Sequence, residues 1–329
     1  MLIPSVADAS LESHLRARLG CTGDPKKPLG EQQQLALRVG LIQNTPTPHL
    51  STPDLVIFAA DHGLAVDNIA GKQTQTTAAT VRALLTDQVP LAGLAQLHGL
   101  RLIVVDSGIS EQLEPHERLH ARKIAYGTRN SRFSMAMSIE QVHAAIRAGI
   151  ETAECLSGNV VGCAGVGVGS AQSAALVLSC LSEVPLRELV ETGAPMAKNL
   201  LNHNIHVLES VRQRHLDLRD PVEVLAAMGG FEVAMMSGLM LAASARRFVI
   251  LPDGLPAHAA LMVASAIEPA VVEYCVHPRS NRPLALDRAL SLFNTGEASE
   301  GSLHAVDGTG VTMTWSLVSK AAALLARAA

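Results

Sequence analysis

Three short runs of this chain are apolar without interruption: residues 55–59 (LVIFA), 102–105 (LIVV) and 248–251 (FVIL). A fourth, 159–162 (NVVG), leads straight into a glycine-rich turn. Runs this short, with no alternation of polar residues, read as strands covered on both faces, which is the position of a strand in a parallel sheet. Helical patterns separate them. Residues 76–85 and 172–180 have helical spacing, and 138–156 opens with a capping box of Ser138 and Gln141. Asp220-Pro221 is a cap followed by proline at the first helical position, opening an Ala- and Met-rich helix over 222–245. Residues 270–275 read as a further strand and 311–325 as a closing helix. Strands and helices alternating in this way predict an α/β fold with a doubly wound, Rossmann-like parallel sheet.

Upstream, 11–19 and 31–42 are helical and the three prolines within 44–53 mark a loop. The expected division is a sheet domain over 51–310 and a smaller helical lobe built from the termini, 1–50 with 311–329. Aromatic residues are scarce, with one Trp, two Tyr and five Phe in 329 residues, so the core must be packed from aliphatic side chains. The net charge of −4 is spread without a basic patch, which argues against nucleic acid or a membrane surface as partner. No apolar stretch reaches the roughly 20 residues of a membrane span, and residues 1–20 lack the apolar region of a secretory leader. The five cysteines have no CxxC spacing and suit reduced thiols. A cytoplasmic protein without metal or cofactor is expected.

In a doubly wound sheet, ligands bind beyond the carboxyl ends of the strands, and here those ends carry Asp61-His62-Gly63, Asp106-Ser107-Gly108 and Asp253-Gly254. Gly165-Val-Gly167-Val-Gly169-Ser170 lies between a predicted strand and a predicted helix. Glycines there let the backbone approach a ligand, and a helix N-terminus attracts phosphate; the competing reading is a turn that only packs strand against helix. The loop is not a Walker A motif, since no Gly-Lys-Ser/Thr follows. Asp307-Gly308-Thr309-Gly310 could present a carboxylate to a ligand, or could simply cap the last helix. GxSxG does not occur, and the histidines are not read as metal ligands.

The ordered set Lys27-Pro28-Leu29-Gly30, Phe58-Ala-Ala-Asp61-His62-Gly63, Gly127-Thr128-Arg129-Asn130, Gly229-Gly230-Phe231-Glu232, Asp253-Gly254, His277-Pro-Arg279-Ser280 and Asp307-Gly308-Thr309-Gly310 resembles the nicotinate-nucleotide–dimethylbenzimidazole phosphoribosyltransferase family of cobamide synthesis. The likeness runs from about residue 15 onward. It implies transfer of the ribose 5-phosphate of nicotinate mononucleotide to an aromatic base without metal, giving an α-ribotide, and a homodimer with its sites near the interface. It also implies that Asp307 takes the proton of the incoming base, in the place of a family glutamate. The substrate-binding set it implies is Asp61, His62, Lys72, Gln73, Arg129, Asn130, Gly165, Gly167, Gly169, Ser170, Asp253 and Gly308.

Relative to the family pattern, Val306-Asp307 stands for Gly-Glu, Cys163 for an acid, and Val168-Gly169-Ser170 for Asn-Thr-Thr. Lys72 and Gln73 replace smaller residues in the base pocket. These changes admit a second reading, a catalytically weak or inactive subunit paired with a competent paralogue, and a third, a nucleotide-binding oxidoreductase on the same sheet. The apolar circumference of 222–245 adds an argument for a dimer, since such a helix needs cover on every side.

Overall fold

Seven consecutive buried residues make Asp54–Ala60 the central strand, β1, of a five-stranded sheet. The computed structural model describes residues 2–20, 29–69, 75–182, 184–191, 196–277 and 308–327. Two helices, α1 (Ala9–Arg18) and α2 (Glu31–Ile42), precede β1. After β1 come a 3-10 turn (Gly63–Asp67), α3 (Thr77–Leu85), α4 (Pro90–Leu97), β2 (Arg101–Gly108) and the short edge strand β3 (Leu119–Ala121). Then follow α5 (Ile139–Glu154), β4 (Val160–Val166), α6 (Ser170–Ser182), α7 (Leu186–Glu191), α8 (Lys198–Arg214), α9 (Pro221–Met228) and α10 (Phe231–Ala245). The chain closes with β5 (Val249–Pro252), α11 (Gly254–Ile267) and α12 (Thr309–Arg327).

The strand order is β3-β2-β1-β4-β5, and every pairing is parallel. Phe58 lies beside Val105 of β2 and Gly165 of β4, so the apolar runs sit in register with one another. Chain order runs outward in opposite directions from β1, one way through β2 and the other through β4. The switch point therefore falls between β1 and β4, where a crevice opens at the carboxyl ends.

α10 lies in the heart of the molecule: every residue from Phe231 to Ser244 is buried. It packs tightest on α5, where Cβ atoms added at Gly149 and Gly238 would stand 1.9 Å from Met235 O and 2.0 Å from Ile146 O. Reciprocal glycines bring the two backbones into contact. This corrects two expectations. The helix over 222–245 is two helices, broken at Gly229-Gly230, and its apolar circumference is covered by the chain's own core, so it carries no argument for a dimer. The strand expected at 270–275 is a 3-10 helix, Pro269–Tyr274, started by Pro269 and capped by Glu268; only Cys275 makes a strand-like bridge, to Ile250.

A separate apolar cluster joins both ends of the chain. Leu15 of α1, Ala36 and Leu37 of α2, and Ala321 and Leu325 of α12 pack together, and Arg18 donates to Leu325 O at 2.6 Å. Nearer its start, α12 belongs to the main core through Val311 and Val318.

Candidate active site

At the switch point, β1 ends in Asp61 and His62, and β4 ends in the turn that starts α6. Gly167 belongs to this turn; a Cβ on it would stand 1.8 Å from Ala60 O, and one on Gly169 would stand 2.8 Å from His62 Cβ. The glycines thus let the β4 turn lie directly on the end of β1, with His62 N donating to Val168 O at 3.2 Å. Gly165, placed in this turn by sequence, lies instead inside β4, where its bare Cα makes room for Pro256 and Met236.

Asp61 ties four segments together. One oxygen accepts from Thr77 Oγ1 at the start of α3, and Thr77 in turn accepts from Val168 N at 3.0 Å. The other oxygen accepts from Ser110 N and Ser110 Oγ, each at 2.7 Å. Its backbone carbonyl accepts from Thr128 N at 3.0 Å, bringing 127–130 alongside. There Asn130 bridges Asp67 Oδ2 and Arg132 N, while exposed Arg129 donates to Met135 O. Asp61 and Asn130 are committed to loop architecture.

Beneath the turn, Ser170, His62 and Glu232 are buried together at 2, 4 and 0% exposure. Ser170 Oγ donates to Glu232 Oε1 at 2.7 Å, and His62 Nε2 meets the same oxygen at 2.8 Å. Serine and histidine share the carboxylate rather than bonding each other, so this is not a nucleophile–base pair. The Ser170 hydroxyl points inward. Glu232 was visible in the Gly229-Gly230-Phe231-Glu232 segment, but an acid in the first turn of a helix usually only complements the helix dipole.

Asp253, at the end of β5, is buried at 5% exposure. Its Oδ2 accepts from Gly308 N at 2.7 Å and Gly310 N at 2.9 Å, so it caps α12 from outside the helix. Burial pushes its carboxyl above the ordinary range, and these backbone donors pull it partly back. Cys163, in β4, is fully buried, and burial together with Cys275 and Asp253 holds its thiol well above its usual range. Asp106 is taken up by Lys123 at 3.1 Å and Ile109 N at 3.0 Å.

Asp307, Lys72 and Gln73 lie outside the described residues, as do Arg279, Ser280 and 192–194. Among the described residues no cluster of His, Cys, Asp or Glu could hold a metal ion, and no helix is long and apolar enough to cross a membrane. A cavity of about 420 Å³ lies at the far end of α6, lined by Ser179, Arg212 and Arg219 among others, well away from the strand-end groups.

Fold and site together define a doubly wound parallel α/β protein whose polar side chains gather at the switch-point crevice. A family model described as phosphoribosyltransferase matches residues 5–329. The nicotinate-nucleotide–dimethylbenzimidazole phosphoribosyltransferase of Cupriavidus taiwanensis is 36% identical over 98% of this chain and 94% of its own length. That of Cupriavidus necator is 36% identical over 97% and 93%. CobT from Thermus thermophilus shares the fold with a TM-score of 0.88 at 23% identity, covering 96% of both chains. The chain belongs to the nicotinate-nucleotide–dimethylbenzimidazole phosphoribosyltransferase family.

Proposed function

We propose that this protein transfers the ribose 5-phosphate of nicotinate mononucleotide to dimethylbenzimidazole or a related base, forming an α-ribotide for cobamide synthesis. The observation that carries the proposal is full-length similarity to relatives bearing that activity in their names. The site supports it, because α6 starts at the strand-end crevice and a helix N-terminus stabilises a phosphate. The Ser170 hydroxyl belongs to Glu232, so backbone amides of the turn are the phosphate's partners in this reading. A base nitrogen attacks the anomeric carbon, the bond to nicotinate breaks with inversion, and the base gives up its ring proton. Asp307 is the proposed acceptor of that proton.

The test is incubation of the pure protein with nicotinate mononucleotide and a panel of aromatic bases, following nicotinate release and α-ribotide together. A general base contributes about 10² to 10⁴ in rate, so Asp307→Asn should lower turnover by that factor with nucleotide affinity nearly unchanged. Unchanged turnover in that variant removes Asp307 from the role. Absence of turnover in the wild type with every base favours a partner subunit.

A further inference from the structure

Glu232 lies at the start of α10, His62 just after β1 and Ser170 at the start of α6, yet all three converge on one carboxylate oxygen. Glu232 is fully buried, and no Lys or Arg is recorded within ion-pair distance of it among the described residues. Its other oxygen, Oε2, is buried without a hydrogen-bond partner. An ionised carboxylate only accepts hydrogen bonds. With Ser170 Oγ–H and His62 Nε2 both within 2.8 Å of Oε1, an ionised Glu232 accepts from both and places a proton on Nε2. In a neutral imidazole the other nitrogen, Nδ1, then holds a lone pair. Nδ1 has no hydrogen-bond partner among the described residues. A carboxylate that fixes one imidazole nitrogen as the donor, so that the other can serve the substrate, is a recurrent arrangement in catalysis.

We propose that Glu232 is a positioning residue: it holds His62 as the Nε2–H tautomer and leaves Nδ1 as the hydrogen-bond acceptor for an O–H or N–H group of a substrate in the strand-end crevice. A ribose hydroxyl of nicotinate mononucleotide and the ring N–H of a benzimidazole offer the same chemistry. The second half of the proposal rests on the transferase reading, whereas the tautomer does not.

The experiment uses full-length protein with ¹⁵N-labelled histidine at pH 8, with the His62 signals assigned by their loss in His62→Gln. Long-range ¹⁵N–¹H correlation should show Nε2 protonated and Nδ1 bare in the wild type, and Glu232→Gln should mix the two tautomers. Nicotinate mononucleotide and dimethylbenzimidazole are then added separately, and the source of the donor is the compound that moves Nδ1 toward the hydrogen-bonded range. The wild-type spectrum and the two additions need no variant, so a misfolded Glu232→Gln protein leaves the test intact. An Nδ1–H ring in the wild type, or bound compounds that both leave Nδ1 unmoved, overturns the proposal. Failure of both compounds to bind, measured by calorimetry, instead overturns the transferase reading beneath its second half.

Discussion

Asp253 keeps a carboxylate where water scarcely reaches it, and the two amides that compensate come from residues 308 and 310, 55 and 57 positions along the chain. Leaving buried N–H groups unpaired costs about 1–3 kcal/mol, so Asp253→Ala should lose roughly that much in urea denaturation. The pH dependence has a definite sign. A carboxyl raised above its ordinary 3.8 by burial binds its proton more tightly in the folded state, so its contribution to stability is fully present below that value and is lost as pH rises through the folded pKa. Stability of the wild type relative to Asp253→Asn should therefore fall with rising pH across that window; a flat difference would show that burial does not govern this group. From sequence, Asp253 reads as a carboxylate presented to a ligand, because a strand-end turn reveals position and not the distant partners. Ser170 has a hidden partner for the same reason: its hydroxyl faces Glu232, 62 residues away.

Among the elements, the strands were the most legible. Uninterrupted apolar runs mark strands covered on both sides, and those at β1, β2 and β5 lie within a residue or a few of their observed bounds. Capping was equally readable, since Ser138 and Gln141 form their box and Asp220 accepts from Val222 N and Glu223 N. Residues 269–274 mislead because Val and Tyr suit a strand, while Pro269 and the capping Glu268 set a 3-10 turn locally. The intimacy of α5 and α10 is hidden, because a helical glycine does not announce what lies over it. Gly238→Ala should be destabilised by about 1–3 kcal/mol, the usual range for overpacking, since its Cβ meets Ile146 O at 2.0 Å. Gly93→Ala is the control: nothing lies within 4 Å of a Cβ there, and alanine should stabilise α4 by roughly 0.5–1 kcal/mol. Thermal melts of both variants decide it, and equal shifts would refute the close approach.

For the molecule as a whole, the alternation of strands and helices was enough to foresee a doubly wound sheet, and β1 and β4 at its switch point gather Asp61, His62, Gly167, Gly169 and Ser170. The order of strands came only with the structure, because apolar runs do not encode their neighbours. Assembly rests on the family resemblance. A homodimer is expected, and light scattering at micromolar concentration should give twice the 34.6 kDa of one chain; a mass of one chain removes the expectation.

The apolar cluster shared by α1, α2 and α12 also bears on how the chain is made. Helix α1 ends at Arg18 and α12 begins at Thr309, so a ribosome adding about 5–20 residues each second separates their emergence by roughly 15–60 s. Throughout that interval Leu15 and Leu37 have no Ala321 or Leu325 to pack against. The capping amides of Gly308 and Gly310 reach Asp253 equally late. During synthesis the apolar side chains of α1 and α2 therefore stay uncovered until α12 emerges, and transiently exposed apolar surface of this kind is what chaperones act on.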